Sequence, residues 1–416
     1  MTLHTHSSFF SRVTKLAGLR AVHAAFAWMH QNPKTILDWQ IELSKIPGPP
    51  FGEENRSVWM ADRFREAGLS AVTTDAIGNV FATLPAAALP PESTGPVVVL
   101  SAHLDTVFPL ATPLDAKING ERVELPGICD NAAGVVGMLA VAHALVEARV
   151  ELPAPLVFLG NVGEEGEGDL RGVRYLYEHN TLAGRIAAHV VLDGAGAEAA
   201  IVQALGSRRF QVTITGPGGH SFTDAGTPNP IAALSAALAL FFETPVPDNP
   251  KTTINLGTIR GGTSVNSIPE SVTASVDLRS TSPDQLVRLE VALHRAVEDA
   301  VLAANAKSKS FVKKHLRYTI QTIGNRPASF LPETSPLMAG LAAVDRHLGL
   351  RSDLRLGSTD ANIPLSLGVP ALSLGAGGDG GGAHTIAEWY SARDRDLGLR
   401  RILLLVLAML DWAAEQ

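Results

Sequence analysis

The sequence predicts an α/β protein: a mixed, mostly parallel sheet with helices on both faces, carrying a smaller α+β module as an insertion. Three observations lead there. From Pro96 to Asp193, apolar strand-like runs alternate with helical periodicity, the pattern of a largely parallel sheet. Between about residues 206 and 322 the order becomes strand, helix, strand, strand, helix, strand. From Thr334 the first pattern resumes. We therefore expect one domain built from residues 1–205 and 323–416, with residues 206–322 inserted into it. A chain of 416 residues is long enough to bury two cores.

In chain order, Leu19–Gln31 and Lys34–Lys45 show helical periodicity on either side of Asn32-Pro33. Ile46–Gly52, with three prolines and two glycines, is a rigid turn that no helix crosses. Glu53–Ala67 is helical up to Gly68, and Leu69–Thr74 and Gly78–Leu84 read as strands joined by a turn at Asp75–Gly78. A loop rich in Pro and Ala, Pro85–Gly95, leads into the aliphatic run Pro96–Leu100, a buried central strand. Helix Asn131–Ala148, strand Pro155–Asn161, helix Gly172–Glu178 and strand His189–Asp193 follow. In the module, strands Arg209–Thr215, Thr252–Ile259, Ser271–Arg279 and His315–Ile320 with helices Asn229–Phe242 and Pro283–Ala304 match the ferredoxin-like split order. One continuous large sheet is the alternative. Helix Ser335–Leu348, strand Ala371–Leu374 and helix Asp394–Glu415 complete the chain, and the glycine-dense Gly375–Gly382 reads as a mobile loop.

Composition narrows the function. A net charge of −7 gives no basic footprint for nucleic acid. The single cysteine, Cys129, excludes an intrachain disulfide and fits a reducing compartment. Met1–Arg12 lacks the charged and apolar regions of a secretory signal, and the longest apolar run, Ile402–Leu410, is far short of a membrane span. The expectation is a soluble, cytoplasmic protein with no membrane partner.

The chemistry begins at Ser101–Val107, directly after the central strand. Period-2 alternation puts His103 and Asp105 on one side with Leu104 opposite. An imidazole beside a carboxylate suits a metal ligand with its orienting partner, or a salt bridge at a strand end. Asp130, in Gly127–Gly134, stands at the first turn of a helix, where an acid also serves as a cap. Its neighbour Cys129 reads as a buried structural thiol. Gly163–Gly168 places consecutive carboxylates after an apolar strand, which is costly unless they are solvated, protonated or neutralised by a cation. The glycines there imitate a dinucleotide loop, but Glu164, Glu165 and Glu167 would repel a pyrophosphate. Asp193 closes a strand, His384 follows the glycine loop, and His220 lies in Gly216–Ser221 of the module.

None of these decides singly; the set does. His103, Asp130, Glu165, Asp193 and His384 give two imidazoles and three carboxylates at strand ends or loop starts of one α/β domain, where such sheets gather functional groups. Mixed N/O ligation suits zinc, with manganese or cobalt also compatible. Five ligands exceed one open tetrahedral site and fit two metals sharing a carboxylate, which can hold a hydroxide and polarise a carbonyl. Glu164, not needed as a ligand, is then free to take a proton from that water. No Gly-x-Ser-x-Gly elbow and no phosphate-binding Gly-Lys-Ser/Thr is present.

The ordered stretches Ser101–Val107, Gly127–Gly134, Glu164–Gly166, Leu192–Asp193, Gly216–Ser221, Gly261–Pro269, Asp277–Arg279 and Gly382–Thr385, with the Pro-rich turn Ile46–Glu54, resemble the co-catalytic zinc exopeptidase and aminoacylase family. That family includes carboxypeptidase G, tripeptide aminopeptidase (peptidase T) and acetylornithine deacetylase. The resemblance implies a zinc-exopeptidase-like fold and two zinc ions per subunit. His103 and Asp193 would hold one, Glu165 and His384 the other, with Asp130 bridging. It further implies Asp105 as the support of His103, Glu164 as general base and later proton donor, and the module as a lid that forms a homodimer. His220 would be the oxyanion-stabilising lid histidine, in its own or the partner subunit. Asn266 and Arg279 would hold the substrate's carboxylate end, and Ser358-Thr359-Asp360 resembles a further active-site loop. Asp rather than Glu at position 193 looks more like the tripeptide-aminopeptidase side.

The expected function is metal-dependent cleavage of an amide bond in small peptides, peptidase T-like. N-acyl-amino-acid deacylation or a carboxypeptidase G-like exopeptidase is the alternative. A catalytically silent dimeric binding protein on the same scaffold is the reading from another class.

Overall fold

The computed structural model describes residues 2–85, 94–309 and 315–416, with side chains from residue 8 on. Most of the expected loop Pro85–Gly95 lies outside the described residues. The chain forms two compact units, Met1–Ala204 with Phe330–Gln416, and Leu205–Ser329.

In the first unit a mixed sheet runs in the order Ser70–Thr74, Val80–Leu84, Leu156–Asn161, Val97–His103, Ile186–Leu192, Ala371–Leu374, Ala199–Ala204. Asp353–Gly357 pairs in parallel with Ala199–Ala204. The four strands from Leu156–Asn161 to Ala371–Leu374 are mutually parallel. Ser70–Thr74 and Val80–Leu84 form an antiparallel edge. Every residue of Val97–His103 is buried. Val98, Leu100 and Ala102 face the main core, which includes helices Ala132–Glu147 and Arg395–Ala413. Val97 and Val99 face a smaller core with Val157, Leu159 and Leu176. Burial on both faces is why this strand reads as continuous β-branched residues rather than an alternation, and each such side chain contributes about 1.5–3 kcal/mol on burial.

One polar network crosses the sheet. The His189 ring meets Ser101 Oγ at 2.8 Å through Nε2 and the Tyr177 hydroxyl at 3.0 Å through Nδ1. Burial pushes the His189 imidazole down to about 3, so it is neutral and its two nitrogens divide into one donor and one acceptor.

Three features depart from expectation. Thr2–Ala17 is a helix, held by a stripe of Phe9, Val13 and Ala17, each buried and four residues apart. Lys117–Asn119, Arg122–Glu124, Asp379–Gly381 and Trp389–Ser391 form a small antiparallel sheet. Gly375–Gly382 is thus a packed connection rather than a mobile loop. A Cβ on Gly375 would collide with the Ala195 carbonyl, and one on Gly378, at φ +73°, with the Tyr390 hydroxyl. The glycines serve close backbone approach, a use that composition alone does not separate from flexibility.

The second unit has strands Gly206–Thr215, Thr252–Gly261, Ser271–Ser280 and Arg317–Arg326 and helices Pro230–Phe242 and Pro283–Ala306. Its sheet order is Thr252–Gly261, Ser271–Ser280, Gly206–Thr215, Arg317–Arg326, antiparallel throughout. This is the split β-α-β-β-α-β arrangement, with a core of its own. It is longer at its end than the 206–322 expected, because the last strand continues to Arg326.

Candidate metal centre

His103 is the last residue of its strand and 1% exposed. Its Nδ1 meets the backbone carbonyl of Asp105 at 3.1 Å, which turns Nε2 outward from the strand end. The Asp105 carboxylate stands 3.6 Å from Nδ1, beyond hydrogen-bond length. Its two oxygens instead accept from the Glu164 and Glu165 amides at 2.9 and 2.8 Å. Asp105 therefore supports His103 through its main chain and the Glu164–Glu165 turn through its side chain. Burial raises the Asp105 carboxyl, but His103 and the two amides outweigh it and leave it below the ordinary value.

Asp130 precedes helix Ala132–Glu147, and the cap is Asn131, whose Oδ1 accepts from Gly134 N. The same oxygen accepts from Gly194 N at 3.0 Å, and Asn131 Nδ2 donates to Leu192 O at 2.9 Å. Asn131 thus ties the Asp130 turn to the strand end that carries Asp193. With capping assigned to its neighbour, the Asp130 carboxylate is left for another task. Oδ1 lies 3.2 Å from His103 Nε2, and Oδ2 lies 3.1 Å from His384 Nε2. His384 Nε2 is also 3.0 Å from Glu165 Oε1, and His103 Nε2 is 3.8 Å from Asp193 Oδ1. His384 sits at φ 65°, a left-handed conformation that costs a non-glycine residue about 1 kcal/mol or more. Asp130 first, then Glu165, raises the His384 imidazole to about 9.

These residues form overlapping groups whose donor atoms converge: His103, Asp130 and Asp193; Asp130, Glu165 and His384; His103, Glu164 and Glu165. The residues fit divalent cations. Donors around one cation at about 2.0–2.2 Å stand some 3–4 Å apart, the spacing seen here. Asp130 Oδ1 is buried and, despite its nearness to His103, makes no hydrogen bond of acceptable geometry, a costly state for a carboxylate without a cation. Cys129 belongs to none of the groups among the described residues; burial pushes its thiol up to about 12.

Two buried carboxyls escaped the sequence reading as individual candidates. Glu388 is fully buried and accepts backbone N–H groups from the Asp130 turn; burial nevertheless holds its carboxyl up at about 7. Asp360 is also fully buried and accepts from Asn161 Nδ2 at 2.6 Å. The sequence shows Asp360 only as part of the loop Ser358-Thr359-Asp360, and Glu388, a lone acid between Ala387 and Trp389, has no motif spacing.

In the second unit, Gly219–His220 pairs with Ser267–Ile268, and Ser221 N donates to Asn266 O at 3.0 Å. His220 and Asn266 are thus neighbours, both exposed. Arg279 is not brought to them. It lies on strand Ser271–Ser280 seven residues past Val272, the partner of Gly261, roughly 23 Å along at about 3.3 Å per residue. Its Nε donates to Asp277 at 2.8 Å.

Residues 99–408 match peptidase family M20/M25/M40. A probable carboxypeptidase of Aspergillus flavus is 26% identical over 300 residues, a stretch that takes in 65% of this chain and 66%, just under two thirds, of that protein. A solved tripeptidase of Staphylococcus aureus superposes with a TM-score of 0.72 at 20% identity, covering 92% of this chain and 99% of that one. A dinuclear metal-binding peptidase of family M20 from Bacillus subtilis gives a TM-score of 0.64 at 16% identity, with 92% and 99% covered. The solved structures speak for the fold, and the sequence match for more. Matched over most of its length, the chain belongs to peptidase family M20/M25/M40.

Proposed function

We propose that this protein hydrolyses the amide bond of small peptides with a pair of divalent cations, zinc in the first instance with cobalt or manganese as substitutes. The observation that carries the reading is Asp130, whose two oxygens face His103 and His384 separately, as a bridging carboxylate requires. His103 and Asp193 would hold one cation, Glu165 and His384 the other. Bound there, the cations supply a Lewis acid for the scissile carbonyl and acidify an attacking water.

Glu164 is the proposed base. It is 5% exposed, its amide is fixed by Asp105, and its carboxylate lies among the donor atoms of His103 and Glu165, while the five residues assigned above already supply ligands to both cations. It takes the proton of the attacking water and returns it to the leaving nitrogen. His220 is the proposed oxyanion donor. Its Nδ1 accepts from Phe222 N and Thr223 N at 3.2 and 3.3 Å, which puts the proton of the neutral ring on Nε2, where it can be donated. Asn266 Oδ1 accepts from Ser264 Oγ at 3.0 Å, so its NH2 is the group it offers to a substrate carboxylate. We take Leu205–Ser329 as the lid and dimerisation module, and the location as cytoplasmic. Among the described residues no helix is long and apolar enough to cross a membrane.

The tripeptidase likeness supports a peptidase T-like direction, and the name of the Aspergillus relative supports carboxypeptidase action as the second reading. The test is a panel of free tripeptides and dipeptides, N-blocked and C-blocked peptides, and N-acyl amino acids, with added zinc, cobalt or manganese. We expect hydrolysis of free tripeptides, abolished by a chelator and restored by metal. Turnover of acyl-amino acids alone would make it a deacylase. Two bound cations with no hydrolysis of any compound would make it a binding protein.

A further inference from the structure

The turn that carries Asp130 and the loop that carries His384 are far apart in sequence, yet both must face one cation in the reading above. Neither residue lies on a strand or helix. Something must hold the two segments together before any metal arrives, because two loops free to separate would offer no preformed site. Glu388 sits four residues after His384, at the start of strand Trp389–Ser391. Its Oε1 accepts from Cys129 N at 2.8 Å and from Asp130 N at 2.7 Å, and its Oε2 accepts from Gly127 N at 2.8 Å. Its own backbone carbonyl accepts from Leu125 N at 3.0 Å. The residue is fully buried.

We infer that Glu388 is the positioning residue of the metal centre: its carboxylate, taking up three amides of the Asp130 turn, joins the Asp130 and His384 segments into one piece. The chemistry favours a carboxyl group over an amide or an apolar side chain. Three N–H groups converge on one side chain, two of them on Oε1 and one on Oε2, and a carboxyl group presents an acceptor oxygen on both sides. A glutamine would turn an NH2 group toward at least one of those amides, and an alanine would leave all three buried without an acceptor. The hydrogen bonds of the side chain run to backbone amides of the Asp130 turn, so its action runs through Asp130 and His384. Partners that orient ligands in this way typically change metal affinity 10–100-fold when removed.

The inference rests on the metal reading for its consequence, but not for its geometry, and the experiment separates the two. Amide hydrogen exchange is followed in the metal-free full chain for wild type, Glu388→Gln and Glu388→Ala, and zinc or cobalt binding is then titrated calorimetrically. Val344→Ala, which opens a small cavity in helix Pro336–Leu348, serves as a control for general destabilisation. The expected result is exchange at Gly127, Cys129 and Asp130 at least about 10-fold faster in Glu388→Ala, with Glu164 and Glu165, which Asp105 holds, unchanged. Metal affinity should fall about 10–100-fold in the order wild type, Gln, Ala, while Val344→Ala keeps wild-type affinity. Should Glu388→Ala fail to fold, the isosteric Gln variant carries the comparison. Unchanged exchange at the three amides, or an equal loss of metal affinity in Val344→Ala, would overturn the positioning role. A wild-type chain that binds no divalent cation would overturn the two-cation reading, while the exchange rates still decide whether Glu388 joins the segments.

Discussion

The two sides of the proposed metal centre are built by different means. On one side, His103 ends a central parallel strand and Asp193 follows the next one, Ile186–Leu192. Their directions come from the sheet, and His103 is 1% exposed. On the other side, Glu165 and His384 lie on loops, and the His384 side chain is 55% exposed with a left-handed backbone. Here buried carboxylates replace the ladder: Asp105 takes up the amides of Glu164 and Glu165, and Glu388 those of the Asp130 turn. A strand end aims its side chain as a by-product of forming the sheet. A loop ligand needs a dedicated acceptor, and that acceptor can sit anywhere in the sequence.

The largest effect belongs to a residue on neither side as ligand. Glu164→Ala should lower kcat by about 10²–10⁴-fold and leave bound metal, measured by elemental analysis, at two equivalents. Loss of metal would move Glu164 from base to ligand and erase the distinction between ligand and proton carrier in that turn. His220→Ala should cost about 10²–10³ in kcat with KM little altered; an unaltered kcat would remove it from the oxyanion role. Asp105→Asn tests the loop side directly. One amide loses its acceptor, so unfolding by urea should show a loss of about 1–3 kcal/mol, with weaker metal binding. Full retention of both would mean the Glu164–Glu165 turn holds itself.

The strand side has its own, smaller signature in pH. His189 is neutral in the fold because burial pushes it down to about 3, whereas in the unfolded chain it protonates near pH 6.5. Between those values the unfolded state binds the extra proton, so its contribution to stability is full above about pH 6.5 and is lost as pH falls, by up to about 1.4 kcal/mol per unit. Urea midpoints at pH 7 and pH 5 for wild type and His189→Asn would measure it. A wild type no more acid-sensitive than the variant would assign the sensitivity elsewhere.

Legibility in the sequence follows the same divide. The central strand, its helices and the residues at its end announce themselves by period and by polar side chains where apolar ones are expected. The split order of Leu205–Ser329 was readable for the same reason. The glycine run Gly375–Gly382 was not, because glycine serves both freedom and close approach, and only the packing against Ala195 and Tyr390 distinguishes them. Glu388 was invisible for a related reason: its partners are backbone amides about 260 residues away, and a backbone amide leaves no mark on the letters of a sequence. Asn131 took over the capping that had been allotted to Asp130, a one-residue shift within the error of any helix boundary. Arg279, chosen from its motif, lies at the far end of a strand from Asn266, a separation that spacing along the chain does not reveal.

The position of Ala371–Leu374 in the sheet has a consequence for how the molecule is made. That strand fits between Ile186–Leu192 and Ala199–Ala204, two strands synthesised well before it. Leu205–Ser329, whose first and last strands pair Ser207 with Arg326, is complete while that slot is still open. During translation the inserted unit can therefore fold first, and the frame around it closes last, an inside-out order for a protein with such distant pairings. Of the five proposed ligand residues, four precede the slot-filling strand in the chain and His384 follows it, so the set is complete only after that strand has appeared. A nascent chain would thus complete its proposed metal centre and its sheet at a similarly late stage.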